Sequence, residues 1–255
     1  MTRLESKVAV VTGAGRGLGA AVCQWMVKAG ATVVAADIDS VHGQRCADDL
    51  GERASFIELD VTSEQSWDSA VSAIMEKFGR IDVLVNNAGL VWIAPLVDTS
   101  LADYHRLVAV NQTGPYLGMR AVLPVMTKAG RGSIVNVSSM NGIRGMPGES
   151  IYSATKHAVI GMTRSVALEV AELGIRVNTV CPGAMDTPML EEVDLGAGGG
   201  KSTAEALAPL VPFKRVASAA EVAEVVGFLA SDASSYCSGA EFVADGAWTS
   251  GLSFS

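Results

Sequence analysis

Lys7-Val8-Ala9-Val10-Val11-Thr12-Gly13-Ala14-Gly15-Arg16-Gly17-Leu18-Gly19 is the stretch on which the reading of the chain turns. A short β-forming run enters a glycine-rich turn, and a helical pattern follows with Ala21, Val22, Trp25 and Met26. Gly30 stands where a helix-ending glycine belongs, and Ala31 to Ala36 is a second strand closed by Asp37. Strand, turn, helix and strand within about thirty residues make a βαβ unit. The strict G-x-G-x-x-G spacing is not met, because position 18 is Leu; what stands is Thr12-Gly13-x-x-x-Gly17-x-Gly19. Glycines at such a turn let backbone N–H groups approach a pyrophosphate, which the helix N-terminus favours electrostatically.

Working outward, Ser55–Val61 is strand three, and Thr62 or Ser63 caps a helix carrying Trp67, Val71, Ile74, Met75 and Phe78. Ile81–Val85 is strand four and runs into Asn86-Asn87-Ala88-Gly89. One continuous helix is expected from about Leu101 to Ala129, then a strand ending at Ser139, a helix through Ala171, and a sixth strand, Ile175–Val180, stopped by Cys181-Pro182-Gly183. A helix near Ser218–Ala230 and a last strand, Glu241–Ala244, complete seven strands alternating with helices. Most of these strands are continuous apolar runs, which suits a parallel, doubly wound sheet buried on both faces. With no linker or internal repeat, residues 1–255 read as a single α/β domain.

Asp37 lies eighteen residues past Gly19, where a carboxylate accepts bonds from ribose hydroxyls and repels a 2′-phosphate. That favours NAD over NADP. Arg16 pulls the other way if it meets a phosphate; otherwise it points to solvent or pairs with a carboxylate. Further on, Ile151-Tyr152-Ser153-Ala154-Thr155-Lys156-His157 places a phenol and an ammonium four residues apart, on one helical face. A neighbouring cation is expected to lower the phenol's pKa from about 10 towards the range of a general acid/base. Ser139, thirteen residues before Tyr152, ends its strand within reach of the same point. Pro115, four residues after Asn111, lacks an N–H, so a kink and a freed Asn111 carbonyl are expected.

Taken in order, Thr12-Gly13-x-x-x-Gly17-x-Gly19, Asn86-Asn87-Ala88-Gly89, Asn111, Ser139, Tyr152-x-x-x-Lys156 and Pro182-Gly183-x-x-x-Thr187 resemble the motif set of the short-chain dehydrogenase/reductase family, over nearly the whole chain. The resemblance implies a Rossmann-type oxidoreductase, commonly tetrameric. It assigns Tyr152 as general acid/base, Lys156 to the tyrosine pKa and the nicotinamide ribose, Ser139 to the substrate oxygen, and Asn111 to a water continuing a proton relay. It also puts Gly13, Arg16, Gly17, Leu18, Gly19, Asp37, Asp60, Val61, Asn87, Ala88, Gly89, Pro182, Gly183 and Thr187 along the cofactor.

Loops beyond the strands' carboxyl ends carry Ile143, Met146, Met185 and Met189, apolar and adaptable, so an uncharged secondary alcohol or ketone is the expected substrate. Two runs, Leu59-Asp60-Val61-Thr62-x-x-x-x-Trp67 and Ser238–Gly246, look similar to bacterial hydroxysteroid dehydrogenases of that family. Both lie outside the substrate loop and so speak to ancestry, while a steroid or bulky aryl ketone would suit the apolar loops themselves. A lid is expected at about 188–214, centred on Gly196–Gly200. An NADP-dependent 3-oxoacyl reductase and a non-catalytic dinucleotide sensor are the alternatives. Net charge is −8 with no basic stripe, which excludes nucleic acid and anionic membrane as expected partners. Four scattered cysteines and three unpartnered histidines offer no metal site, and the absence of an apolar span or signal segment leads us to expect a cytoplasmic protein.

Overall fold

Val8–Thr12 has no polar face to offer water, and all five residues are buried as β1. The computed structural model, which describes residues 4–192 and 202–251, adds β2 (Thr32–Asp37), β3 (Ala54–Glu58), β4 (Val83–Asn86), β5 (Gly132–Val137), β6 (Ile175–Pro182) and, later in the chain, β9 (Glu241–Ala244). These seven form one sheet in the order β3-β2-β1-β4-β5-β6-β9. Every neighbouring pair is parallel. A separate two-residue ladder pairs β7 (Met185–Asp186) with β8 (Ala217–Ser218).

Helices cover both faces. On one, α1 (Gly17–Lys28) and α9 (Ala219–Ala230) bury Leu18, Val22, Cys23 and Met26 with Val222, Ala223, Val226 and Leu229 against the sheet. On the other, α3 (Glu64–Phe78), α5 (Gly114–Ala129) and α6 (Ser150–Val170) bury Trp67, Ile74, Leu117, Val122, Met126 and Ala167. Of the two expected caps for α3 the chain uses Ser63, whose hydroxyl accepts the Ser66 N–H at 3.2 Å.

Four features differ from the sequence reading. The helix expected over 101–129 is α4 (Leu101–Val108) and α5, joined by a π-helical turn at Ala109–Thr113. There the Gly114 N–H reaches back five residues to the Ala109 carbonyl. Pro115 therefore sits in the first turn of α5, where a missing N–H costs nothing, and the ladder widens without a simple kink. The sixth strand runs on through Pro182, because Gly183 supplies the N–H to the Ala244 carbonyl at 3.0 Å. Strand three ends at Glu58, so Asp60 and Val61 lie in the loop beyond it. A helix α2 (Ser40–Leu50) fills the β2–β3 connection, capped by the Asp39 carboxylate on the Val41 and His42 N–H groups. Short helices α7 (Pro188–Glu191) and α8 (Thr203–Leu207) flank residues 193–201; the centre of the expected lid, Gly196–Gly200, lies outside the described residues.

Candidate active site

The carboxyl ends of β1 and β4 meet where the strand order reverses, the point at which open α/β sheets bind ligands. Thr12 ends β1, and its hydroxyl accepts N–H groups from Asn87 and Ala88, both at 3.0 Å. The Asn87 amide donates to the Thr12 and Gly13 carbonyls at 2.9 and 3.1 Å, locking the two loops together. Gly13 and Gly17 have φ of +62° and +57°, a region that favours glycine. Gly19 is required for a different reason: a Cβ there would lie 2.0 Å from the Gly13 carbonyl oxygen. A Cβ at Gly17 would lie 3.6 Å from Thr187 Cβ, across the opening, and Leu18 turns into the core.

This cradle fits a pyrophosphate. The N-terminus of α1 has no side-chain cap and no acid in its first turn, so its leading N–H groups are left for a ligand. Asp37 stands at its edge, accepting from the Gly15 and Asp39 N–H groups at 2.8 and 3.0 Å. Arg16 takes the carboxylate option: it pairs with Glu192 at 2.6 Å, both side chains more than half exposed. Asp60 accepts from the Thr62 N–H and hydroxyl, and the Val61 carbonyl accepts the Trp67 indole N–H at 3.1 Å.

On the other side of the cleft stand Ser139, Tyr152 and Lys156. Ser139 follows β5, and its oxygen accepts the Asn141 N–H at 3.1 Å. Ser138 is spent elsewhere, its hydroxyl donating to the Lys156 carbonyl at 2.8 Å and pinning α6 to the strand end. Lys156 is 4% exposed; its ammonium donates to the Val137 carbonyl at 3.1 Å and lies 5.6 Å from the centre of the Tyr152 ring. Burial lowers this lysine's pKa to about 8. The phenol corrects the sequence expectation. Burial pushes Tyr152 up to about 12, the Ser139 hydroxyl opposes that shift, and the Glu149 carboxylate adds to it. The ammonium is engaged by the Val137 carbonyl, and desolvation of the phenolate dominates.

Asn111 closes the arrangement. Its side chain is fully buried in the π turn and clamps Leu90, accepting its N–H and donating to its carbonyl, both at 2.8 Å. A side chain at Gly89 would come within 3.4 Å of Asn111 Oδ1 and 3.5 Å of Lys156 Nζ, so amide, ammonium and the Gly89 backbone converge. The clamp commits the Asn111 side chain to Leu90.

Beneath the site, Asn86, Asn136 and Thr163 form a buried polar ladder, at 2.8 and 2.9 Å, between β4, β5 and α6. Sequence reasoning missed it, although asparagines inside apolar strands were a signal. Glu149, which is 7% exposed and accepts from the Asn141 amide, was missed as well. Of the expected substrate residues, Ile143 and Met146 are half-buried on the loop after Ser139, and Met189 is 39% exposed on α7. Met185 packs against the core under α1 and α9, so its side chain is partly spent there. Gly183 crowds Asp245, where a Cβ would lie 2.9 Å away. Among the described residues no group of His, Cys, Asp and Glu could hold a metal, and no helix is long and apolar enough to cross a membrane. Cys181, beside Lys156, is a buried thiol raised to about 11 by that burial.

Known proteins share this architecture. The family model described as enoyl-(acyl carrier protein) reductase matches residues 13–249. A 3-alpha-(or 20-beta)-hydroxysteroid dehydrogenase of Mycobacterium bovis is 44% identical, over 98% of this chain and 92% of its own. A cyclopentanol dehydrogenase of a Comamonas species is 40% identical, over 98% and 99%. Among solved structures, a 3-ketoacyl-(acyl-carrier-protein) reductase from Brucella melitensis complexed with NADH superimposes with a TM-score of 0.90 at 33% identity, over 96% of this chain and 99% of that one. The glycine cradle, the Ser139–Tyr152–Lys156 cluster and these matches together establish that the chain belongs to the short-chain dehydrogenase/reductase family of oxidoreductases.

Proposed function

We propose that this chain uses NAD(H) to interconvert an apolar secondary alcohol, of the hydroxysteroid or ring-alcohol kind, and its ketone. The observation that carries the reading is the convergence of Ser139, Tyr152 and Lys156 at a strand end facing the uncapped N-terminus of α1. When bound, the nicotinamide supplies or accepts the hydride. The protein handles the oxygen and the proton. Ser139 Oγ accepts the Asn141 N–H, and its hydroxyl, which bonds the Tyr152 phenol here, is placed to turn its hydrogen to a substrate oxygen. Tyr152 passes the proton, and charge on Lys156 favours the phenolate that burial disfavours. From Lys156 the proton leaves by way of a water held at the π turn beside Asn111. Asp37 supports NAD, since a 2′-phosphate brought to the β2 end would meet a carboxylate, and the one cation of the glycine loop is paired with Glu192.

Replacing Tyr152 with Phe tests the mechanism. Turnover is expected to fall by about 10²–10⁴-fold, with NAD affinity by calorimetry unchanged. Persisting turnover would overturn it. The substrate panel should hold hydroxysteroids, cyclic alcohols and a 3-oxoacyl thioester, each assayed with both cofactors. A preference for the thioester would favour the carrier-linked alternative, and a preference for the phosphorylated cofactor would contradict the role of Asp37.

A further inference from the structure

Glu149 is a carboxylate with almost no exposed surface, and the proton chemistry above makes no use of it. Its main chain starts α6: its carbonyl accepts the Ser153 N–H at 2.8 Å, and its own N–H donates to the Met146 carbonyl at 3.1 Å. Its Oε2 accepts the Asn141 side-chain amide. Asn141 in turn gives its main-chain N–H to Ser139 Oγ at 3.1 Å. The Asn141 Oδ1 is buried without a protein partner, so the bond to Glu149 sets how that amide faces. One side chain thus braces the turn carrying Ser139 against the helix carrying Tyr152, three residues away.

We propose that Glu149 is a positioning residue for proton transfer at Tyr152, acting through Asn141 on the Ser139 hydroxyl and through its charge on the phenol. The proposal rests on Tyr152 being the proton-transfer group. The brace needs only an acceptor at position 149, whereas the electrostatic part needs a negative charge. Glu149 raises the phenol's pKa, so loss of that charge shifts the phenolate to lower pH. Other charged groups leave this sign intact. Burial raises the Glu149 pKa against the opposing Asn141 bond and the charge of Arg144, on the same loop, whose guanidinium lies 5.1 Å from the Trp248 ring. Lys156 faces Tyr152 from α6, with Cys181 of β6 behind it. His157 turns to the Ser153 carbonyl at 2.9 Å, and residues 87–94, packed on Gly148, bring no titratable side chain.

The test is a set of kcat/KM–pH profiles for alcohol oxidation by E149Q, E149A and Y152F, with NAD affinity measured for each. E149Q keeps an acceptor for Asn141 and removes the charge. Its plateau should stay within about threefold, while the acid limb moves down by about half a pH unit or more. E149A, which removes both, should lower kcat by about tenfold with the KM for NAD unchanged. A profile of E149Q that superimposes on the parent, or moves up, overturns the proposal, and E149Q decides the matter if E149A fails to fold. If Y152F collapses while E149Q superimposes, this inference alone falls; if Y152F retains turnover, the reading of the site falls with it.

Discussion

Lys156 carries an ammonium that the fold would rather see neutral. Its pKa is lowered to about 8 by burial, against about 10.5 in an unfolded chain. Between those values the unfolded state holds a proton that the folded state has released, so stability should rise with pH, by about 3 kcal/mol across the window. Tyr152 works in the opposite sense above pH 10, where the unfolded phenol ionises first. Lys156→Met removes the penalty but leaves the Val137 carbonyl unpaired. At pH 7 it should be inactive yet more stable by about 1–3 kcal/mol in urea melts. That gain should shrink between pH 8 and 10.5; a constant gain would contradict the burial argument. At this scale the sequence was legible in placement, since spacing alone put Ser139, Tyr152 and Lys156 at one strand end, but not in electrostatics, since burial reversed the expected shift of the phenol. Glu149 was not legible, because a glutamate in a Gly- and Pro-rich loop looks like solvated surface until the Asn141 contact is known.

The π turn at Ala109–Thr113 shows where element reading ran out. Apolar periodicity records which faces are buried, and a one-residue widening leaves most of that record intact; only Pro115 hinted that the ladder was disturbed. Helix α2 escaped for a different reason. It buries only Gly43, Cys46 and Ala47, too few apolar positions for a recognisable stripe, and its start depends on the Asp39 cap. The turn also has a mechanical role, because Asn111 clamps both main-chain polar groups of Leu90. Asn111→Leu strands two part-buried groups at about 1–3 kcal/mol each. We expect a loss of about 3 kcal/mol in the urea midpoint analysis, with faster amide exchange at residues 89–92. Loss of activity with native exchange there would mean that Asn111 does not hold the loop.

For the whole molecule, the doubly wound sheet followed from strands apolar along their length, but the partnering of helices did not. Nothing in the local pattern of α1 announces that it packs on α9, from the far end of the chain. The contact is close: a Cβ at Gly227 would lie 2.3 Å from the Trp25 ring, and that ring cannot retreat through the core beside it. Gly227→Val should therefore cost about 1–3 kcal/mol, seen as a fall in Tm of about 2–4 °C for each kcal/mol. An unchanged Tm would show that the two helices slide apart freely.

The same contact sets an order of events during synthesis. Trp25 leaves the ribosome roughly 200 residues before Gly227, an interval of about 10–40 s at about 5–20 residues per second. Through that time the nascent chain must carry the apolar face of α1, the helix that opens the dinucleotide cradle, without the helix that covers it. Early strands can pair, but this face of the sheet stays open until the last seventh of the chain, which begins with α9 at Ala219, arrives. Conditions that slow translation near the 3′ end should therefore favour aggregation of this protein over its misfolding in isolation.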